Sequence, residues 1–233
     1  MRYTTIRKAA FLERPNRFIA RVLLEGKEIT VHVKNTGRCR ELLVPGAAVY
    51  LAEADNPARK TRYDLVAVEK GARLINMDAQ APNQIFREWA ESGKFRPGLT
   101  LLRPETAWGN SRFDFYWEGS GSPPGGAPAR GFVEVKGCTL EEENRTLFPD
   151  APTQRGVKHL EELIRARAEG YEAAVCFVIQ MAGISGFSPN DRTHPAFGEA
   201  LRRAAKAGVE VLAYECAATP GEIVMTKAVP VFL

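Results

Sequence analysis

Apolar and polar residues alternate with a period of two through 28–33, where Ile29, Val31 and Val33 share one face and Glu28, Thr30 and His32 the other. That is the pattern of a half-buried strand. A second strand is expected just before it over 18–24, with Glu25-Gly26-Lys27 as the turn between them. Segments 44–53, 64–70 and 72–75 bring the number of short strands in the first 76 residues to about five, with no long helix among them. Five short strands suggest a small barrel, and the OB-type barrel is a common fold of that kind that binds single strands of nucleic acid.

The pattern then changes. Segment 82–91 reads as a helix, with Ile85, Phe86 and Trp89 at helical spacing. Segments 99–102, 112–117 and 131–136 read as strands, and 119–128, rich in Gly, Ser and Pro, as a hairpin loop. Over 153–169 the residues Val157, Leu160, Leu163, Ile164 and Ala168 form the apolar stripe of an amphipathic helix, with Gly170 at its stop. A strand over 171–181 is apolar without a break from Ala173 to Ile179, as expected where both faces are covered. A helix over 195–207, closed by Gly208, and a strand over 209–214 complete an α/β unit with a mixed sheet flanked by helices. The expected architecture is therefore α+β followed by α/β: a barrel over 1–80 and a helix-flanked sheet over 81–233.

Composition narrows the functional classes. Of the 233 residues 45% are hydrophobic and 26% charged, enough for real cores and against disorder over the whole length. No apolar run approaches the roughly 20 residues that span a bilayer, and no signal-type stretch opens the chain, so a cytoplasmic protein without a membrane role is expected. The four cysteines are scattered, with no CxxC pair, and read as buried or idle thiols. A net charge of +4 permits a polyanionic partner without demonstrating one. Arg14, Arg17 and Arg21, then Arg38 and Arg40, then Arg59, Lys60 and Arg62 form basic groups, each of which is either a solvated surface or part of such a contact.

The sharpest chemical signal is Asp114 within Arg112-Phe113-Asp114-Phe115, followed after the loop by Phe132-Val133-Glu134-Val135-Lys136. Strand alternation turns Glu134 and Lys136 to one side and Val133 and Val135 to the core. On the preceding strand Phe113 and Phe115 are expected to face away from Asp114. If the loop closes a hairpin, Asp114 comes beside Glu134. Two carboxylates suit a hard divalent ion that keeps several waters, Mg²⁺ or Mn²⁺, which polarises a phosphoryl oxygen and lowers the pKa of bound water. A nearby lysine can orient that water or neutralise charge on the phosphate. The alternative is an ordinary exposed strand face with a Glu–Lys pair.

The D…E-x-K arrangement, followed by an amphipathic helix and a buried strand, resembles the PD-(D/E)xK nuclease superfamily. Segments 33–38, 111–115, 134–140 and 148–160 resemble the sugar fermentation stimulation protein A (SfsA) family, a likeness that runs from about Phe11 to the C-terminus. The resemblance implies an N-terminal OB-like domain, a restriction-endonuclease-like C-terminal domain, DNA binding and a loose link to sugar metabolism. It makes Asp114 and Glu134 metal ligands and Lys136 the catalytic lysine. Phe113 stands where the superfamily's name has proline, and the Gly/Pro-rich loop widens the Asp114–Glu134 gap.

Other positions are secondary. Glu105 is a possible third carboxylate or a surface residue. In nuclease-like folds the 153–169 helix flanks the site, so Arg155, Lys158 or His159 can touch phosphate, although a histidine in such a place is more often structural. Asn35, Thr36 and Arg38 lie just past a barrel strand, where a loop can offer hydrogen bonds to a phosphate backbone or simply turn at Gly37. The leading expectation is a Mg²⁺- or Mn²⁺-dependent DNA endonuclease or exonuclease. The rivals are a DNA-binding regulator of sugar metabolism genes with a relict metal site and a hydrolase of small phosphorylated metabolites. No Walker-type loop supports the last, and no helix-turn-helix is visible for operator reading.

Overall fold

The computed structural model describes residues 1–35, 37–54, 56, 58–120 and 128–233. Six strands build the first unit: β1 (Ile6–Asn16), β2 (Ile19–Leu24), β3 (Lys27–Val33), β4 (Ala48–Glu53), β5 (Tyr63–Lys70) and β6 (Arg73–Asn76). They run in the order β3-β2-β1-β4-β5-β6, and a short parallel pairing of His32 with Asp64 and Val33 with Leu65 joins β3 back to β5. Strands β1 to β5 thus form the closed five-stranded barrel of an OB domain, a closure that removes most free strand edge. Its interior is filled by Phe11, Val22, Val31, Leu51, Leu65 and Val68, each at most 2% exposed. The β2–β3 hairpin turns on Glu25 and Gly26, both at positive φ, the geometry of a tight primed turn.

The strand count agrees with expectation but the membership differs. Strand β1 is in the barrel, whereas β6 is an outer hairpin partner of β5. Two register shifts break β1 against β2, between Phe11 and Glu13 and between Glu13 and Asn16. A bulged strand loses its period of two, and charged residues at Arg7, Lys8, Glu13 and Arg14 dilute what remains.

The second unit begins with α1 (Ala81–Trp89), which carries Pro82 in its first turn and runs into a π-helical turn. There follow β7 (Leu99–Trp108), β8 (Ser111–Gly119), β9 (Ala129–Cys138), β10 (Glu141–Glu142), β11 (Arg145–Phe148), α2 (Gln154–Ala168), β12 (Glu172–Ile179), β13 (Gly186–Pro189), α3 (Pro195–Lys206), β14 (Glu210–Thr219) and β15 (Glu222–Ala228). The main sheet has the order β15-β14-β12-β9-β8-β7, with β12 parallel to β9 and β14 and the other pairs antiparallel. Helices α2 and α3 cover one face around Phe132, Leu163, Phe177 and Phe197. Helix α1 covers the other around Phe86, Trp117, Val133 and Cys176. Strand β12 is buried on both faces, as its unbroken apolar run requires. Strand β7 continues through Pro104, which an edge strand tolerates. Strand β15 and the small β10-β11-β13 sheet lack a readable period in the sequence.

The barrel and the mixed sheet share buried apolar contacts. Polar contacts reinforce them: the buried Gln180 amide donates to Asn76 Oδ1 at 2.9 Å and to the Asp78 carbonyl at 3.0 Å. Glu141 pairs with Lys70 at 2.7 Å and Arg73 at 3.0 Å. All four cysteines are free and buried. No helix among the described residues is long and apolar enough to cross a membrane.

Candidate functional site

The site forms where β8 leaves β9. Their antiparallel pairing reaches Phe115↔Val133 and goes no further, so the backbone of the next residues on β9 is free of its neighbour. The Asp114 side chain fills that gap: its Oδ2 accepts the Val135 N–H at 2.8 Å. Its Oδ1 accepts the Asn83 side-chain amide, reaching across from α1, at 2.9 Å. The two phenylalanines beside it do not share a destination. Phe113 packs with Phe132 on the α2 side and Phe115 with Phe86 on the α1 side, so strand alternation fails at Asp114. This corrects the simple picture of both rings facing away from the carboxylate together.

Strand β9 keeps its period of two. Val133 and Val135 enter the α1-side core, and Glu134 and Lys136 project towards α2. Glu134 is 2% exposed. Its Oε1 accepts the Lys136 ammonium at 2.5 Å and the His159 Nδ1–H, while Oε2 is buried without a hydrogen-bond partner. The other ring nitrogen of His159 accepts Arg155 Nε at 3.3 Å.

Burial penalises both carboxylates, but their partners decide the outcome differently. At Asp114 burial and the nearby Glu134 charge prevail over the Val135 N–H, Lys136 and Asn83, and the pKa is raised from 3.8. At Glu134 burial is outweighed by the bonds and charges of His159 and Lys136, and the pKa is lowered from 4.5. Leaving a buried carboxylate unpaired costs several kcal/mol (about 3–5 when one partner of a buried pair is removed), so the His159–Glu134–Lys136 cluster is what makes Glu134 tolerable.

The remaining candidates divide. Arg155 and Lys158 are exposed on α2, with Lys158 Nζ donating to the Asn110 carbonyl at 2.7 Å. His159 does not belong with them as a DNA contact: it is buried and both ring nitrogens are engaged. Glu105 is exposed and ion-paired to Arg112 at 2.7 Å, although it borders the same cleft of about 430 Å³ as Asp114. Asn35 uses its Oδ1 to accept the Gly37 N–H at 2.7 Å and its amide to reach the Met77 carbonyl at 3.0 Å, which builds the turn. Arg38 is exposed, and Thr36 lies outside the described residues. Asn35 and Gly37 also wall a cavity of about 200 Å³ with Gly137, Cys138, Asp150 and Gln180, directly after Lys136. Sequence reasoning missed Asn83, whose place opposite Asp114 depends on how α1 packs and leaves no local signal. Asp150 was legible only as part of a familiar segment.

Among the described residues no group of three or more His, Cys, Asp or Glu side chains is arranged to hold a metal. A two-carboxylate site is a different case, because Mg²⁺ is commonly bound through one or two carboxylates and retained waters. The unpartnered Glu134 Oε2 fits such an ion, and Asp114 lies near enough to feel the Glu134 charge: a cation would satisfy the buried oxygen that the protein leaves bare.

Residues 12–77 match the family model described as the SfsA N-terminal OB domain, and residues 80–222 match the one described as the sugar fermentation stimulation protein RE domain. The chain belongs to the SfsA family. A sugar fermentation stimulation protein homolog from Desulfitobacterium hafniense is 57% identical over 223 residues, covering 96% of this chain and 94% of its own. One from Ruminiclostridium cellulolyticum is 49% identical over 233 residues, the full length of both. The structure of Pyrococcus furiosus SfsA in complex with Ca²⁺ superimposes with a TM-score of 0.87 at 28% identity, covering 100% of this chain and 98% of that one.

Proposed function

We propose that this SfsA family member binds DNA and hydrolyses its phosphodiester bonds, with Mg²⁺ or Mn²⁺ held by Asp114 and Glu134. One observation carries the reading: Glu134 is buried, fixed through one oxygen by Lys136 and His159, and left bare at the other, with Asp114 within reach of its charge. When bound, such an ion supplies Lewis acidity towards a phosphoryl oxygen and a more acidic bound water. The chain's own residues do the rest. His159 and Lys136 hold Glu134 ionised, and Asn83 with the Val135 N–H aims Asp114. Lys136 has further N–H bonds free to meet a non-bridging phosphate oxygen or to orient an attacking water. The Ca²⁺ in the Pyrococcus relative supports a hard, oxygen-seeking divalent ion in this family. The OB barrel supports a nucleic-acid strand as ligand. The relatives' name places them in sugar fermentation, and action at DNA is the route we propose for any such link.

The test is Mn²⁺-dependent cutting of labelled DNA by the wild-type chain and by Asp114→Asn. The variant is expected to lose cutting while remaining folded. Cutting that persists in the purified variant at the wild-type rate would end the assignment.

A further inference from the structure

The barrel end that faces the site is organised by one arginine. Arg14, on β1, donates through Nη1 to the carbonyls of Gly37 at 2.8 Å and Arg38 at 3.0 Å, and through Nη2 to those of Arg17 at 2.8 Å and Asn35 at 2.5 Å. Two loops distant in sequence are therefore tied to a single guanidinium. Asn16 fixes the first of them by accepting the Phe18 and Ile19 N–H groups at 2.9 and 3.1 Å. The result is a rim on which Phe18 is 44% exposed, Arg17 lies 4.8 Å over its ring, and Arg38 is exposed beside them. Among the described residues neither Arg17 nor Arg38 is in an ion pair, although the chain pairs most of its other exposed arginines. The same clamp holds Asn35 and Gly37, which wall the cavity that opens directly after Lys136.

We propose that this rim grips single-stranded DNA: Phe18 stacks on an unpaired base, Arg17 and Arg38 meet the flanking phosphates, and the strand is led past Asn35 and Gly37 to Lys136. Free arginines match a polyanion, and an exposed aromatic ring on the same rim matches a base face. In a duplex those faces are already stacked on their neighbours, so the ring selects an unpaired strand. The inference rests on the DNA reading above and supplies the substrate class that the site alone does not.

The test is fluorescence anisotropy with an oligo-dT strand of about 12 nucleotides and a duplex of equal length, with EDTA present throughout. Phe18→Ala is expected to weaken binding of the single strand about tenfold and leave duplex binding within about twofold. Phe18→Trp is expected to retain it. Arg38→Ala is expected to lower the salt dependence of log K by about 0.7, one phosphate contact. Wild-type affinity in Phe18→Ala, or equal loss for both ligands, overturns the grip. Because EDTA prevents cutting, a chain that binds strands but never cleaves leaves the grip standing and ends only the nuclease reading. Normal cleavage with Phe18 dispensable does the reverse.

Discussion

Asp114 and Glu134 stand on neighbouring strands, yet the protein treats them in opposite ways. Glu134 sits mid-strand, buried under α2, and two basic partners pull its pKa down. Asp114 sits at the bend where β8 leaves β9, held only by neutral donors, and burial with its neighbour's charge pushes its pKa up. One carboxylate is stabilised in its ionised form before any ligand arrives, whereas the other is ionised at a cost. Added positive charge near Asp114 would offset that cost, which is why the contrast supports the proposed cation.

The contrast can be broken first at His159. His159→Ala removes one of two partners from a buried carboxylate and is expected to cost roughly 3 kcal/mol, which lowers the melting temperature by about 6–12 °C in a chain of this size. A change under about 2 °C would mean that Lys136 alone suffices. Next, Mg²⁺ or Mn²⁺ at about one hundred times its dissociation constant is expected to stabilise the wild type by roughly 2.7 kcal/mol, and Glu134→Gln to abolish most of that gain in calorimetry.

The effect of Asp114→Asn has the opposite sign to that of most buried substitutions. In EDTA at neutral pH it is expected to raise the melting temperature, because a neutral amide avoids the cost of ionising a buried carboxylate next to Glu134. The pH dependence follows. Asp114 keeps its proton longer in the folded chain than in the unfolded one, so its contribution falls as pH rises above 3.8 and through its raised value. Glu134 gives stability that is present above 4.5 and lost as pH falls through its lowered value. Acid titration of Asp114→Asn in EDTA should therefore retain the acid loss due to Glu134 and lack the opposing slope due to Asp114. At the small end, Lys158→Ala on the exposed face of α2 is expected to stay within about 0.5 kcal/mol of wild type.

These differences explain what was legible in the sequence. The Glu134–Lys136 side of the site could be read because β9 keeps a strict period of two, flanked by Val133 and Val135. Asp114 could be named but its surroundings could not, since Phe113 and Phe115 enter separate cores at a bend that alternation does not encode. Helical spacing placed His159 on α2, but whether the ring turned outward to phosphate or inward to Glu134 depended on the depth at which α2 packs on the sheet. The barrel closed as its strand count suggested, although bulged β1 was invisible and β6 stood in for it.

The most direct test of the central claim compares wild type and Lys136→Ala on labelled single-stranded, duplex and branched DNA, with Mn²⁺ or with EDTA. The account predicts Mn²⁺-dependent cutting that EDTA abolishes and the variant lacks, with strongest action where an unpaired strand is present. Cutting that survives Lys136→Ala, or binding of all three substrates without any cutting, would contradict it.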